Sequence, residues 1–320
     1  MNEAAAVSRL REVVRRKHLA LATEESYAHW LVQFCRFART VPAELASEQK
    51  VERFLTRMAL RDYAASTQNQ AFNALLFWHQ ECLGQKLAGI NSLRAKKPVL
   101  VRNAPSVEEV RRLLGAVRDV SGYPCRLVVH LLYGCGLRVS EPLNLRVRDV
   151  RLDDSRLVIR HAKGGKDRVV ALPCSLAVSI KAQLVSARAV WERDRAEGLP
   201  VKLPNRVAQK YPAAAFSWQW AWLFPMAAPC RDPRSGAMVR YRLLETNIQR
   251  AMQRACRGLG LEIKPHELRH AYATHCLNRG ENARAIQQAM GHASLETTMG
   301  YLHAEATGVR SPLETIGVNE

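Results

Sequence analysis

Lys264-Pro265-His266-Glu267-Leu268-Arg269-His270 is the stretch on which this chain turns, and it reads in two ways. The pattern predicts a helix over 266–279, on which His266, Arg269 and His270 lie within one turn of each other. Taken as His-Glu-x-x-His, the two imidazoles stand at metal-ligand spacing, with a carboxylate between them to activate water. Arg269 sits inside that motif, where its charge repels a divalent cation. Ten residues after His266 the chain has Cys276 rather than a third histidine, with Glu281 the substitute. Taken as His-x-x-Arg, positions 266 and 269 pair a proton-transfer group with an always-charged planar fork, a combination suited to a phosphate.

Matching parts occur on either side. Gly136-Leu137-Arg138-Val139-Ser140-Glu141 places Arg138 just after an apolar helix, with Glu141 one turn on to orient it. Lys163 stands at the Gly164-Gly165 turn between two β-type runs, 157–162 and 168–172, which predict a hairpin. Gly291-His292 is followed nine residues after the histidine by Tyr301, adding an imidazole and a phenol.

The 320 residues carry 48 Lys plus Arg against 29 Asp plus Glu, a net charge of +19, which makes a polyanion the first partner to consider. Apolar spacing over 10–93 predicts about four short helices, with Thr23 and Ser47 as N-caps of the second and third. This N-terminal bundle, 1–93, has 12 basic and 9 acidic residues. Residues 94–104 hold four basic residues, including Lys96 and Lys97, and no acid, and they read as a basic linker. Residues 105–320 hold 32 basic and 20 acidic residues and form the second domain. It opens on Ser106-Val107-Glu108-Glu109, a capping box. Further helices are predicted over 123–133, 175–196, 245–258, 282–290 and 294–303. The fold expected is mainly α with a small β-sheet. Eight cysteines without a Cys-x-x-Cys fit a reducing cytosol, and no apolar run is long enough to span a bilayer.

The ordered set Arg138, Lys163, His266-x-x-Arg269, His292 and Tyr301 resembles the catalytic set of the tyrosine recombinases, the phage integrase superfamily. The flanking text agrees: Tyr133 to Glu141, Lys163-Gly-Gly-Lys-Asp-Arg168, Arg269 to His275, Met290-Gly-His292 and Thr297-Thr-Met-Gly-Tyr301. Thr23-Glu-Glu-Ser-Tyr27-Ala-His-Trp30 is similar to the family's helical, SAM-like core-binding domain, so 105–320 is expected to be its mixed α/β catalytic domain. Lys210-Tyr211-Pro212, Trp218-Gln-Trp220-Ala-Trp222 and Asp232-Pro-Arg-Ser-Gly236 resemble the extra segment of integron integrases, an insertion at about 198–240. Flipped bases could stack on these aromatic side chains; the alternative is packing, since at period two the three indoles would share one face as a β-type core edge. Tyr241-Arg242 falls where that subfamily often has His-His.

The resemblance implies a site-specific DNA recombinase that integrates and excises gene cassettes through a 3′-phosphotyrosine at Tyr301. Arg138 and Arg269 would clamp the phosphate, Lys163 protonate the 5′-oxygen, His266 serve as acid-base partner of Tyr301, and His292 donate to phosphate. The covalent ester conserves bond energy, so neither cofactor nor metal is implied. Lys96, Lys97, Lys166, Arg168, Trp218, Trp220, Trp222, Tyr241 and Arg242 are the expected DNA contacts. Partners implied are a double-stranded attachment site and a folded single-stranded cassette hairpin, with four copies of the chain assembled on DNA in the bacterial cytoplasm, at the nucleoid, and no membrane. A phage-type or dimer-resolving recombinase is the alternative within the family. A zinc metallopeptidase acting through His266-Glu267-x-x-His270 is the alternative of another class.

Overall fold

The computed structural model describes residues 2–87, 89, 104–160 and 167–291. The chain divides into two compact units, Met1–Leu100 and Val101–Glu320. Residues 94–103 of the basic stretch, Lys96 and Lys97 among them, lie outside the described residues.

In the first unit the predicted apolar positions face inward. Leu10, Val13 and Val14 are buried on α1 (Glu3–Arg16), and Trp30, Leu31 and Phe34 on α2 (Leu21–Ala38). Phe54, Leu55 and Met58 are buried on α3 (Ser47–Ala59), and Phe72 and Leu75 on α4 (Ala65–Phe77). Two clusters of these side chains form the core. Glu24 is buried on α2, and its charge is matched by Arg15 of α1, whose Nη2 stands 2.8 Å from Oε1. Helix α4 runs into a π-helical turn at Trp78–Cys82. The two expected N-caps are corrected. Helical bonding already starts at Ala20, whose carbonyl accepts from Glu24 N. Ala46 is the N-cap of α3, and its amide donates to the Gln49 side chain, so Ser47 is the first helical residue.

In the second unit Ser106 caps α5 (Val107–Ala116) as predicted, its Oγ accepting from Glu109 N while its own amide donates to Glu109. Then come α6 (Cys125–Gly134) and the single turn α7 (Ser140–Leu143). The hairpin is present as β2 (Arg156–Ile159) antiparallel to β3 (Arg168–Ala171), with Leu157 opposite Val170. Its turn, 161–166, lies outside the described residues. A third strand, β1 (Val150–Arg151), pairs with β2; two residues are too few to show a period. Helices α8 (Cys174–Ala196), α10 (Glu245–Leu259), α11 (Pro265–Asn278) and α12 (Ala283–Met290) follow. The helix expected over 294–303 lies outside the described residues. Val128, Leu131 and Leu132 of α6, Leu157 and Val170 of the sheet, Ile248 and Met252 of α10 and Leu268 of α11 share one core. Among the described residues no helix is long and apolar enough to cross a membrane.

Between α8 and α10 the chain makes an excursion containing α9 (Asn205–Lys210), two 3-10 turns at Pro212–Phe216 and Trp218–Trp220, and the ribbon β4 (Cys230–Arg231) with β5 (Met238–Val239). Its ends are tied together, since Arg240 N donates to Pro200 O and Lys202 N to Arg240 O. Two buried arginines anchor it. Arg240 pairs with Asp194 of α8 through Nε and Nη2, at 2.7 and 2.5 Å. Arg146 donates to Trp220 O and Lys202 O, both at 2.7 Å, and lies 3.1 Å over the Trp222 ring. Burial pushes the Arg146 pKa down to about 9 against the opposing pull of Asp149.

Both charges of the Asp194–Arg240 pair are removed from water, so cutting one away strands the other. Asp194→Ala is expected to lower the urea-unfolding free energy by about 3 to 5 kcal/mol. A loss under about 1 kcal/mol, the size found for exposed pairs, would show that this contact does not anchor the excursion.

Candidate phosphate-binding site

Helix α6 ends at Gly134, and the turn after it needs glycine at 136. Gly136 has φ +59°, and a Cβ there would overlap the Tyr272 ring of α11. That close approach brings the Gly136 carbonyl to Arg269 of α11, whose Nη1 donates to it at 2.6 Å. Two residues on stands Arg138, and α7 then delivers Glu141 beside it. The backbone amide of Arg138 donates to Glu141 Oε2 at 2.8 Å, and its Nη1 to Oε1 at 2.9 Å.

Glu141 is the hub of the site. Arg168, the first residue of β3, donates Nη1 to Oε1 at 2.9 Å and Nη2 to Oε2 at 2.6 Å, a bidentate fork. Arg269 approaches the same carboxylate at 3.8 Å. Burial acts to raise the Glu141 pKa, but the hydrogen bonds and charge of Arg168, together with Arg138, outweigh it and hold the carboxyl below its ordinary value. The three guanidinium groups also meet the end of α12. Arg168 Nε donates to Ala289 O at 2.7 Å, Arg269 Nη2 to Met290 O, and Arg138 Nη2 reaches Gly291 O at 3.4 Å. A helix C-terminus leaves carbonyls unpaired and carries partial negative charge, and these arginines answer both needs.

Exposure separates the three arginines. Arg269 is 1% exposed, the Arg168 side chain 9% and the Arg138 side chain 25%, so Arg138 presents the most accessible guanidinium. His266 opens the first turn of α11 at the surface. Desolvation lowers its pKa first, and then the charges of Arg269, His270 and Arg138 lower it further against Glu267. The imidazole is therefore neutral at pH 7, in the form that accepts a proton. Three guanidiniums against one carboxylate leave an excess of positive charge, the requirement for gathering a phosphate and the further negative charge of its transition state.

Arg138, Arg269 and His266 are thus brought together from positions far apart in the chain, whereas Lys163, Lys166, His292 and Tyr301 lie outside the described residues. Arg168, expected as a DNA contact, instead has its guanidinium turned inward onto Glu141 and α12. The three tryptophans do not form one β-type face, because the 3-10 turn at Trp218–Trp220 breaks the period of two. Trp218 packs 5.7 Å from Trp191 of α8. The half-buried Trp220 carries Arg148 at 3.3 Å over its ring. Trp222 is 7% exposed and donates Nε1 to Arg240 O, so it offers no open stacking face. Tyr241 sits edge-on to Trp222 at 6.1 Å, and Arg242 donates to Leu243 O. The second partner of Glu141 was not legible beforehand: Arg168 is 27 residues away, and no local period marks it.

The metal reading of His266 and His270 does not fit this geometry. Glu267 accepts from Lys264 N at 2.7 Å, closing the helix start. Among the described residues no group of three His, Cys, Asp or Glu is placed to hold a metal.

The phage integrase family matches residues 106–307, and the phage integrase N-terminal SAM-like domain matches residues 7–88. An integrase/recombinase of Escherichia coli is 40% identical over 321 residues, spanning 97% of this chain and 93% of that protein. Tyrosine recombinase XerA of Thermococcus kodakarensis is 33% identical over 266 residues, spanning 82% of this chain and 79% of that one. The structure of a lambda integrase tetramer bound to a Holliday junction superposes with a TM-score of 0.61 at 14% identity, covering 96% of this chain and 80% of that one.

Because the folded pKa of Glu141 is depressed, its contribution to stability is present above the unfolded value of about 4.3 and is lost as pH falls through the folded value. Glu141→Gln is expected to be less stable than the native chain at pH 7, with the gap narrowing below about pH 4. A gap that stays constant through that range would mean that the carboxylate charge is not what the arginines hold.

Proposed function

We propose, from the premise that the chain belongs to the phage integrase family and is a site-specific tyrosine recombinase, that it acts as an integron integrase on gene cassettes. The observation that carries the chemistry is the convergence of Arg138 and Arg269 on Glu141 beside His266. Tyr301 attacks the scissile phosphorus, forming a 3′-phosphotyrosyl ester as the bond to the 5′-oxygen breaks. Lys163 gives that oxygen its proton and His266 takes the proton of the phenol. Arg138 and Arg269 hold the nonbridging oxygens, with His292 as a further donor. The 5′-hydroxyl of the partner strand then attacks the phosphotyrosyl ester, restoring a phosphodiester and freeing Tyr301. One ester bond is exchanged for another at each step.

The finer assignment is supported by the excursion between α8 and α10, which is formed by the stretch whose Trp218-Gln-Trp220-Ala-Trp222 and Asp232-Pro-Arg-Ser-Gly236 text resembles the integron-type segment. Trp218, Trp220, Tyr241 and Arg242 supply partly open rings and charge near a folded cassette hairpin's extrahelical bases. By analogy with the lambda integrase tetramer on a Holliday junction, four copies assemble on two DNA sites. The likeness to XerA supports the second reading, a phage-type or dimer-resolving tyrosine recombinase.

A nicked attachment-site duplex, incubated with the full-length protein in chelator, is expected to trap a covalent protein–DNA adduct that Tyr301→Phe does not form. Adduct formation should persist on the acid side to below the usual histidine pKa of about 6.5, because His266 stays neutral there. No adduct, or one retained by Tyr301→Phe, would contradict the phosphotyrosine reading. Binding to the folded bottom strand of a cassette site should be tighter than to its duplex. Equal affinity would contradict the integron reading and favour the phage-type or dimer-resolving recombinase.

A further inference from the structure

Arg168 is a long-range junction that the recombinase set does not include. Its fork closes from β3 on the same two Glu141 oxygens that accept from Arg138, and its Nε donates to Ala289 O of α12. It also contacts Gly291. That residue has φ +63°, and a Cβ on it would lie 3.2 Å from Arg168 Cδ and 3.3 Å from Nη1. One side chain therefore links β3, which begins five residues after Lys163, to the Arg138–Glu141 turn and to the end of α12, whose C-cap Gly291 immediately precedes His292 in the sequence. With its side chain 9% exposed and three of its five N–H donors committed to Glu141 and Ala289, it presents little of its guanidinium to a phosphate.

We propose that Arg168 is a positioning residue for strand transfer, acting through Glu141 and the carbonyl end of α12 to set the Arg138 and Arg269 guanidiniums, and that it makes no contact with DNA. The inference rests on the recombinase reading for its effect on rate. Its geometric half stands without that reading. Lysine keeps the charge at 168 but cannot reach two carboxylate oxygens and a carbonyl at once, so Arg168→Lys should fail much as Arg168→Met does. Gly291→Ala should share the defect, because it crowds the same side chain in a backbone conformation that alanine disfavours.

The test measures three properties of the full-length native chain, Arg168→Lys, Arg168→Met and Gly291→Ala, at a temperature where each is folded by thermal melting. The first is the single-turnover rate of adduct formation at saturating nicked duplex. The second is the affinity for a nonspecific duplex as a function of salt. The third is amide exchange at the end of α12. The variants should lose about 10- to 100-fold in rate, the size of effect expected when reacting groups are misplaced by about 1 Å. Their salt slopes should be unchanged, and exchange at α12 should quicken. A salt slope reduced by about 1 with native rate and exchange would make Arg168 a phosphate contact and overturn the proposal. Full rescue of rate and exchange by lysine would overturn it too. If the native chain forms no adduct, the recombinase reading fails; quickened exchange with an unchanged slope would still uphold the positioning role, and unchanged exchange would defeat it.

Discussion

A carboxylate taken out of water costs several kcal/mol unless partners replace its hydration, and Glu141 is 7% exposed. Its partners are guanidiniums contributed by three separate elements: the turn before α7, strand β3 and helix α11. Those elements cannot drift without stranding either the acid or a buried arginine. The same arginines occupy the free carbonyls at the end of α12, so that helix is held by the same constraint. The geometry of the candidate phosphate site is thus fixed by the need to solvate one buried charge, with apolar packing of α6 and α11 behind it.

The chain's net charge of +19 takes on a different meaning beside this arrangement. Surface lysines and arginines provide long-range attraction to a polyanion and a salt-dependent affinity. The arginines around Glu141 are a separate population, buried or half-buried and neutralised in part within the protein. Their excess over Glu141 is local and pre-organised, so it needs no reorientation when a phosphate gathers charge. Further arginines, Arg146 and Arg240, do structural work of the same kind in the excursion, where backbone carbonyls and Asp194 absorb their charge.

Much of this was legible in the sequence where a feature is local. The apolar spacing of Leu10, Val13 and Val14, the Ser106 capping box and the helix from His266 onward depend on residues within a turn of each other. So does the pairing of Arg138 with Glu141, three residues apart. What sequence could not show was long range. Arg168 looked like a surface cation on a basic hairpin because its partners Glu141 and Ala289 are 27 and 121 residues away. The tryptophans misled for a related reason. Alternate spacing suggests a strand, but the closure of the excursion by Arg240, and Arg146 donating to Trp220 O, imposed a 3-10 turn that sends Trp218 and Trp222 to different neighbours. The N-caps shifted because Ala20 and Gln49 already satisfied the first turns.

The central claim is that the Glu141 carboxylate holds Arg138, Arg168, Arg269 and the end of α12 in place. The most direct measurement is a crystal structure of Glu141→Ala beside the native chain in the same crystal form. The account predicts that the Arg138 guanidinium swings out to solvent, that Arg168 leaves Ala289, and that the last turn of α12 shifts by about 1 Å or more, the scale at which catalytic geometry is lost. Arginines and α12 unmoved around an empty carboxylate site would contradict it.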